Sequence, residues 1–372
     1  MTSSGTTGRF TWPVRRRGVP GPEGTAEDIA VQDVAEREAA DRRLPLPEPE
    51  PLLDPPPRSS LAAFRLAALG LALVLALGLA LVRLFGEGPP SVAQLRAQAG
   101  VDTWTTLPIG VKADQPGTAF RDASGVWSGF DVDIAYMIAE DLGFRRSDVR
   151  FSAIESEDRA RMQATDAEGN RVPVKLVIAS YSITPERVAA AGVRFSAPYL
   201  YTEQSVMTLH SAHHRPVSTK QDLAGEHVCT ISASTGLTAP ISTGATVVPR
   251  NRISECVADL RAGNVQAIIT DAAILAGWKN RSPEDFDHWD IGAEANEAWG
   301  INVGENPALQ KLVNLTLYRS YADPKDTRWE RAYERNFQSE TANNGRTPIA
   351  IAEQPRVTRP DVRQLPWEDV LR

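Results

Sequence analysis

Ser180, Ser182 and Thr184 bring hydroxyls close together in the chain, and Pro185, Glu186 and Arg187 follow at once. Proline costs nothing at the first position of a helix, where its missing N–H would have no partner. Pro185 with an acidic residue behind it therefore reads as a helix start. The free N–H groups of that turn, the hydroxyls before it and the planar guanidinium of Arg187 could together clasp a carboxylate. An ordinary strand–helix junction with a surface arginine has the same local pattern, and the stretch alone does not separate the two. Little else in the chain suggests bond-making chemistry. The 5 histidines lack metal-ligand spacing, His213 and His214 being adjacent as in a solvated turn. The 2 cysteines, Cys229 and Cys256, cannot form a four-thiolate zinc site or a dense disulfide framework, although one bridge is open to them. No nucleophile–base pair or phosphate loop stands out. The expectation is a protein that is not an enzyme and needs no metal and no cofactor.

The elements that must position these residues occupy only part of the chain. Its 372 residues suffice for about two domains with real cores, and a net charge of −7 argues against nucleic acid as a partner. Residues 1–60 begin rich in Gly and Ser and end in a run of prolines, Pro45 to Pro57. Such a composition buries too little apolar surface to offset ordering, so a disordered segment is expected, with a polar helix possible at Ala26–Arg43. Residues 61–85 follow, and Leu66 to Val82 carry no charged or polar side chain. At 1.5 Å per residue the run is long enough to cross a hydrocarbon core of roughly 30 Å. The long leader argues for an uncleaved anchor rather than a signal peptide. Arg42, Arg43 and Arg58 lie before the span and only Arg96 lies soon after Arg83, which places the N-terminus in the cytoplasm and everything beyond Phe85 outside.

Residues 86–106 read as a stalk, with a helical turn at Val92–Gln98. Beyond it the pattern alternates. Strands are expected at Ile109–Val111, Val149–Phe151, Leu176–Ser180, Ser205–Leu209, His227–Ile231, Ala267–Asp271 and Trp299–Val303. Helices are expected at Phe130–Leu142, from Arg159 to Gln163, at Ile253–Ala262, Ala272–Trp278, Asn306–Tyr321 and Trp329–Gln338, with a loop at Ala167–Val172. This alternation implies parallel sheets covered by helices. Residues 341–372, rich in Pro and Arg, read as an extended tail.

Between Leu107 and Gln338 the chain resembles the solute-binding proteins of polar amino-acid ABC importers, the glutamate/glutamine-type family 3, in a membrane-anchored variant of the actinobacterial kind. The motifs are I-G-V-K-A-D-Q-P-G (Ile109–Gly117), G-F-D-V-D-I-A (Gly129–Ala135), S-I-T-P-E-R (Ser182–Arg187), F-S-A-P-Y (Phe195–Tyr199), D-L-A-G (Asp222–Gly225), V-C-T-I-S-A-S-T (Val228–Thr235), E-C-V-A-D-L-R-A-G-N-V-Q-A-I-I-T-D (Glu255–Asp271) and W-G-I (Trp299–Ile301). The resemblance implies an α/β, two-lobe periplasmic-binding-protein-like (type II) fold preceded by a single transmembrane helix. Lobe 1 would comprise residues 107–200 and 299–340, and lobe 2 residues 201–298. Crossovers would lie near Tyr199–Gln204 and Glu294–Trp299, and the lobes would close on a ligand by hinge motion.

The resemblance also implies a site for an amino-acid zwitterion. Arg187 takes the carboxylate position, where a bidentate donor suits better than lysine. Ser182 adds a hydroxyl and an N–H, and Ser234 and Thr235 open a lobe 2 helix whose N–H groups add to it. Asp271 stands where the ammonium is accepted, with the Ser180 carbonyl beside it. Asp114, Lys112, Arg159 and Glu155 occupy positions that could face the far end of the ligand. Two cations there favour glutamate or aspartate, while Glu155 pulls toward glutamine or asparagine. The stretch after Met162 departs from the family by its length, and Trp299 replaces a commoner tyrosine. Cys229 and Cys256 would sit in lobe 2 in an oxidising compartment and are expected to be bridged. The partners implied are a polar amino acid and an ABC permease or other membrane protein. The alternative is an amino-acid sensor, its leader docking a cytoplasmic signalling partner such as a kinase. Some dehydratases share the fold, which keeps an enzyme as the remote third class.

Overall fold

The computed structural model describes residues 61–85, 88–212, 215–237, 244–292 and 297–363, with 82–85 described by backbone alone. The expected disordered segment 1–60, His213-His214, part of the second crossover and the end of the tail lie outside the described residues. The chain divides into two compact units, Met1–Val82 and Arg83–Arg372. In the first, helix α1 (Leu61–Phe85) holds a stretch, Leu61–Leu81, that is long and apolar enough to cross a membrane. The large apolar side chains described between Leu61 and Leu81 are exposed, Phe64 and Leu66 among them.

The second unit begins with α2 (Val92–Ala99), started by a capping box between Ser91 and Gln94 and stopped by Gly100 at φ 76°. The expected stalk is more than a spacer. Leu95 and Val101 are each 1% exposed, and the Asn306 amide donates to the Ala99 carbonyl. Strands β1 (Leu107–Val111), β2 (Asp114–Gln115), β3 (Ala119–Arg121) and β4 (Trp127–Ser128) lead into α3 (Phe130–Asp141). After them come β5 (Val149–Ala153), β6 (Gln163–Thr165), β7 (Arg171–Pro173), β8 (Leu176–Val177) and the single turn α4 (Pro185–Val188). The first large sheet has the order β7-β6-β5-β1-β8, and β2, β3 and β4 make a small antiparallel sheet beside it. Ile109 faces Phe151 on one neighbour and Leu176 on the other, both parallel.

The helix expected from Arg159 to Gln163 does not form. Met162 takes φ 54°, which ends helical progression, and β6 begins at Gln163. The stretch read as a loop at Ala167–Val172 is the tip and return of an antiparallel β6–β7 hairpin. This sheet is therefore mixed rather than parallel throughout.

Strand β9 (Leu200–Thr202) leads to the second lobe: β10 (Gln204–Leu209), β11 (His227–Ile231), β12 (Thr246–Arg250), α5 (Ile253–Arg261), β13 (Ala267–Asp271), α6 (Ala272–Arg281) and β14 (Phe286–Asp290). The order is β12-β11-β13-β10-β14, with β11 parallel to both its neighbours and β10 antiparallel to both of its own. Cys229 on β11 and Cys256 on α5 are disulfide-bonded across a sequence separation of 27. Closing a loop of that length is worth roughly 3–4 kcal/mol by the chain-entropy estimate.

Strand β15 (Glu297–Trp299) returns antiparallel to β9, so the connection between lobes is a two-stranded ribbon. Beyond Trp299 the expected strand reduces to isolated bridges at Asn302. Helices α7 (Pro307–Ala322) and α8 (Arg328–Asn343) complete the first lobe. Trp329 and Phe337 are fully buried against Phe130, with ring centroids 5.7 and 5.2 Å away, and the Trp329 indole donates to the Tyr199 carbonyl at 2.8 Å. That aromatic cluster fixes the chain where it enters the ribbon. The tail read as extended from residue 341 starts inside α8, which runs to Asn343, and the described stretch beyond it is docked. Ile351 N–H donates to the Tyr201 carbonyl, Thr202 Oγ1 to the Ile349 carbonyl, and Arg363 N–H to the Pro90 carbonyl.

Candidate functional site

Leu176, Val177, Ile178 and Ala179 form a wholly buried run, so the chain reaches Ser180 deep inside the molecule. There it turns sharply. Ser180 holds φ 46°, its N–H donates to Asp131 Oδ2 at 3.0 Å and its hydroxyl to Gln115 Oε1 at 2.7 Å. Asp131 also accepts from the Tyr199 hydroxyl at 2.8 Å, and burial pushes its carboxyl up to about 7 against those bonds. Ser182 bridges Trp299, and Thr184 caps the turn of α4, which leaves Arg187 facing the second lobe. The strand–helix junction expected from the sequence is thus also the wall of a cleft.

Arg187 donates through Nη1 to the Ser182 carbonyl and through Nη2 to the Ala233 carbonyl, both at 2.8 Å. Arg159 donates from Nε to the Ser156 carbonyl, from Nη1 to those of Ala179 and Ser180, and from Nη2 to that of Ala233. Both guanidinium groups lie over the Tyr181 ring, at 4.4 Å for Arg159 and 4.9 Å for Arg187. The aromatic face helps two adjacent cations coexist in a desolvated place. Burial, and the neighbouring Arg187, lower the proton affinity of Arg159, yet a guanidinium keeps its charge in any protein setting. Arg159 is accordingly committed to backbone carbonyls, whereas Arg187 stands at the open side of the pair.

The second lobe supplies the facing wall. Strand β11 ends at Ile231, and Ala233 at φ 55° turns its carbonyl toward both arginines. The Ser234 hydroxyl donates to the Ile231 carbonyl at 2.6 Å, and Thr235 opens a short 3-10 turn. Strand β13 delivers Thr270 and Asp271 from the side. Asp271 Oδ2 accepts from the Trp299 indole at 2.6 Å, and burial, with Glu297 second, pushes its carboxyl up to about 7.

Together these residues line a small, closely packed cavity: Lys112, Gln115, Ser156, Arg159, Ser180, Ser182 and Arg187 from one side, Ile231, Ser234, Thr235, Thr270, Asp271 and Ile274 from the other. Lys112 is 2% exposed, and among the described residues its ammonium makes no hydrogen bond. Burial, and then Arg159, lower it to about 8. Of the candidates read from the sequence, Arg187, Ser182, Ser180, Asp271, Thr235, Ser234, Lys112 and Arg159 come together here. Asp114 and Glu155 do not. They line a neighbouring hollow and bond to the second lobe, Asp114 to the Ser254 N–H and Glu155 to Arg252. Tyr181, Gln115, Thr270, Ile274 and the carbonyl of Ala233 escaped the sequence reading. Tyr181 alone carried a local signal, an aromatic alternating with the hydroxyls.

Residues 107–339 match the family described as bacterial extracellular solute-binding proteins, family 3. The glutamate-binding protein GluB of Corynebacterium efficiens is 30% identical over 227 residues, covering 58% of this chain and 74% of that protein. The ABC transporter glutamine-binding protein GlnH of Bacillus subtilis is 27% identical over 223 residues, covering 58% and 76%. Among solved structures, an ancestral arginine-binding protein bound to arginine superposes with a TM-score of 0.54 at 27% identity, over 63% of this chain and 98% of that one. A solute receptor for L-cysteine from Neisseria gonorrhoeae gives 0.55 at 25% identity, over 68% and 95%.

Proposed function

Because the chain belongs to family 3 of the bacterial extracellular solute-binding proteins, a family of amino-acid binders, we propose that its own ligand is an acidic amino acid, glutamate or aspartate. The observation that carries this reading is the buried Lys112 ammonium, which has no hydrogen-bond acceptor among the described residues. The opposite charges that act on it, Asp114 and Glu155, are bonded to the second lobe and stand outside the cavity lining, and a second carboxylate on the ligand would give it a direct partner. The cavity also holds Arg159 and Arg187 against Asp271, so a ligand of net negative charge is favoured over a neutral one. Glu155, which would have argued for an amide, is paired with Arg252 and absent from the cavity lining.

In this reading Arg187 exchanges its bond to Ala233 for the α-carboxylate, assisted by Ser182 and by the Thr235 N–H. Asp271 accepts the α-ammonium, with Thr270 next to it, and Lys112 meets the distal carboxylate. Arg159 positions the Ser180 and Ala233 carbonyls and touches no ligand. Donors from both lobes make closure about the β9–β15 ribbon favourable when the amino acid is present. Helix α1 anchors the protein with its N-terminus in the cytoplasm and the binding lobes outside, and the captured amino acid passes to an ABC permease. Tethering keeps the local concentration near that permease high.

The test is a thermal-shift and calorimetric screen of the full chain, in detergent or nanodiscs, against the protein amino acids. L-Glutamate or L-aspartate is expected to stabilise it by mass action, and Arg187→Ala to abolish the effect. Lys112→Gln should move the preference from glutamate toward glutamine. A full shift retained by Arg187→Ala, or an unchanged preference in Lys112→Gln, would refute the assignment.

A further inference from the structure

We propose that Asp114 and Glu155 form a latch that holds the two lobes together beside the cavity, setting how long the amino acid stays rather than which one is chosen. The proposal rests on the amino-acid-binding reading above. Both carboxylates belong to the first lobe, and both find their partners at the beginning of α5 in the second. Asp114 Oδ2 accepts from the Ser254 N–H at 2.9 Å, and Glu155 Oε1 accepts from Arg252 Nε and Nη2, each at 2.7 Å. None of these residues borders the ligand cavity. They line a separate hollow of about 300 Å³ together with Arg121 and Asp166.

The landing site on α5 is prepared for this role. Glu255 Oε2 accepts from the N–H groups of Asn251 and Arg252, which orders the turn and leaves the Ser254 N–H to Asp114. The negative charge of Asp114 meets the positive end of the helix dipole. Cys256 then ties α5 to Cys229 on β11, the strand that runs on through Ile231 to Ala233. The second-lobe side of the latch and the second-lobe wall of the cavity are thereby parts of one braced piece. Ile253 and Cys256 are fully buried, so α5 has no freedom to follow the first lobe when the lobes separate.

Contacts made only in the closed form slow opening, and a ligand enclosed between lobes leaves only after opening. Their loss therefore appears in the dissociation rate, while contacts with the ligand itself decide preference. The pair Glu155–Arg252 is partly solvent-exposed, so its contribution falls with added salt.

The experiment is stopped-flow measurement of L-glutamate and L-glutamine dissociation from the full chain in nanodiscs. Asp114→Asn, Glu155→Gln and Arg252→Gln are compared with the charge swap Glu155→Arg/Arg252→Glu. Each single change is expected to speed dissociation of both amino acids about two- to fivefold, the lost Asp114 or Glu155 charge near Lys112 raising the glutamate-to-glutamine affinity ratio by less than that. The swap should recover the wild-type rate to within about twofold, and high salt should erase the Glu155→Gln effect. If the swapped chain does not fold, the double variant Glu155→Gln/Arg252→Gln must dissociate no faster than the faster single. Faster dissociation of only one of the two amino acids would make either acid a ligand contact and overturn the proposal, as would unchanged rates in the single variants. A wild-type chain that binds neither amino acid would instead refute the ligand assignment on which the latch depends.

Discussion

Arg187 reaches across the cleft to the carbonyl of Ala233, 2.8 Å away, and Ala233 adopts a left-handed backbone at φ 55° to present it. The same carbonyl accepts from Arg159 at 3.0 Å, so one strained residue in the second lobe answers two cations in the first. A left-handed conformation costs an L-residue about 1–2 kcal/mol, and a β-branched side chain suffers most. Ala233→Val should therefore lower stability by about 1–2 kcal/mol in urea denaturation, whereas Ala233→Gly should be nearly neutral. Equal effects of the two would mean that the backbone there is not held as described.

In the proposed site Asp271 would connect ligand binding to pH. In the closed cavity burial holds its carboxyl up to about 7, while an ammonium beside it would favour the ionised form and lower that value. Binding then releases a proton. The sign follows: affinity is greatest above about pH 7 and falls, by at most about tenfold per pH unit, as pH drops below it. Calorimetry in two buffers of different ionisation heat should register the released proton, and Asp271→Asn should bind weakly with little pH dependence. A wild-type affinity flat from pH 5 to 8 would remove Asp271 from the ammonium site.

His288 links stability itself to pH. Its ring sits between the Ser205 hydroxyl, 2.7 Å from Nε2, and Asn344 Oδ1, 2.5 Å from Nδ1, which fits the neutral form donating from Nδ1. Burial lowers it from the ordinary 6.5 to about 4. A depressed value means that its stability contribution is present above about pH 6.5 and is lost as pH falls toward 4. The wild type should thus lose stability relative to His288→Gln across that window, by at most about 1.4 kcal/mol per pH unit. Parallel pH–stability curves for the two chains would show that the ring titrates alike folded and unfolded.

The tail should matter to the lobes it crosses. Ile349, Val357 and Val362 are buried, Thr347 Oγ1 donates to the His288 carbonyl and Tyr333 Oη to the Ala350 carbonyl. Each buried aliphatic side chain is worth about 1.5–3 kcal/mol before chain entropy is subtracted. A chain ending at Gly345 is expected to be less stable by about 2–4 kcal/mol, read from the denaturant midpoint of the full protein and its truncation. An unchanged midpoint would show that the docked tail contributes nothing net.

Much of this architecture was legible because the relevant physics is local. Seventeen residues without a polar side chain, Leu66 to Val82, already require an apolar helix. The hydrophobic spacing of Phe130, Ile134 and Ile138 requires a buried helix face, and Pro185 after Thr184 requires a helix start. The cluster of hydroxyls and a guanidinium at Ser180–Arg187 was legible as a set of donors for the same reason. Its placement was not, because whether Arg187 faces water or a second lobe depends on residues far away in the chain. Arg159 and Lys112 looked alike as charges, yet tertiary packing spends one on four backbone carbonyls and leaves the other without a bond. Asp114 and Glu155 looked like ligand contacts, and only the approach of α5, roughly a hundred residues on or more, gives them other partners. Periodicity and composition act through neighbours in sequence. Which charge is satisfied by protein, and which is left facing the cavity, is decided by distances that exist only once both lobes are folded together.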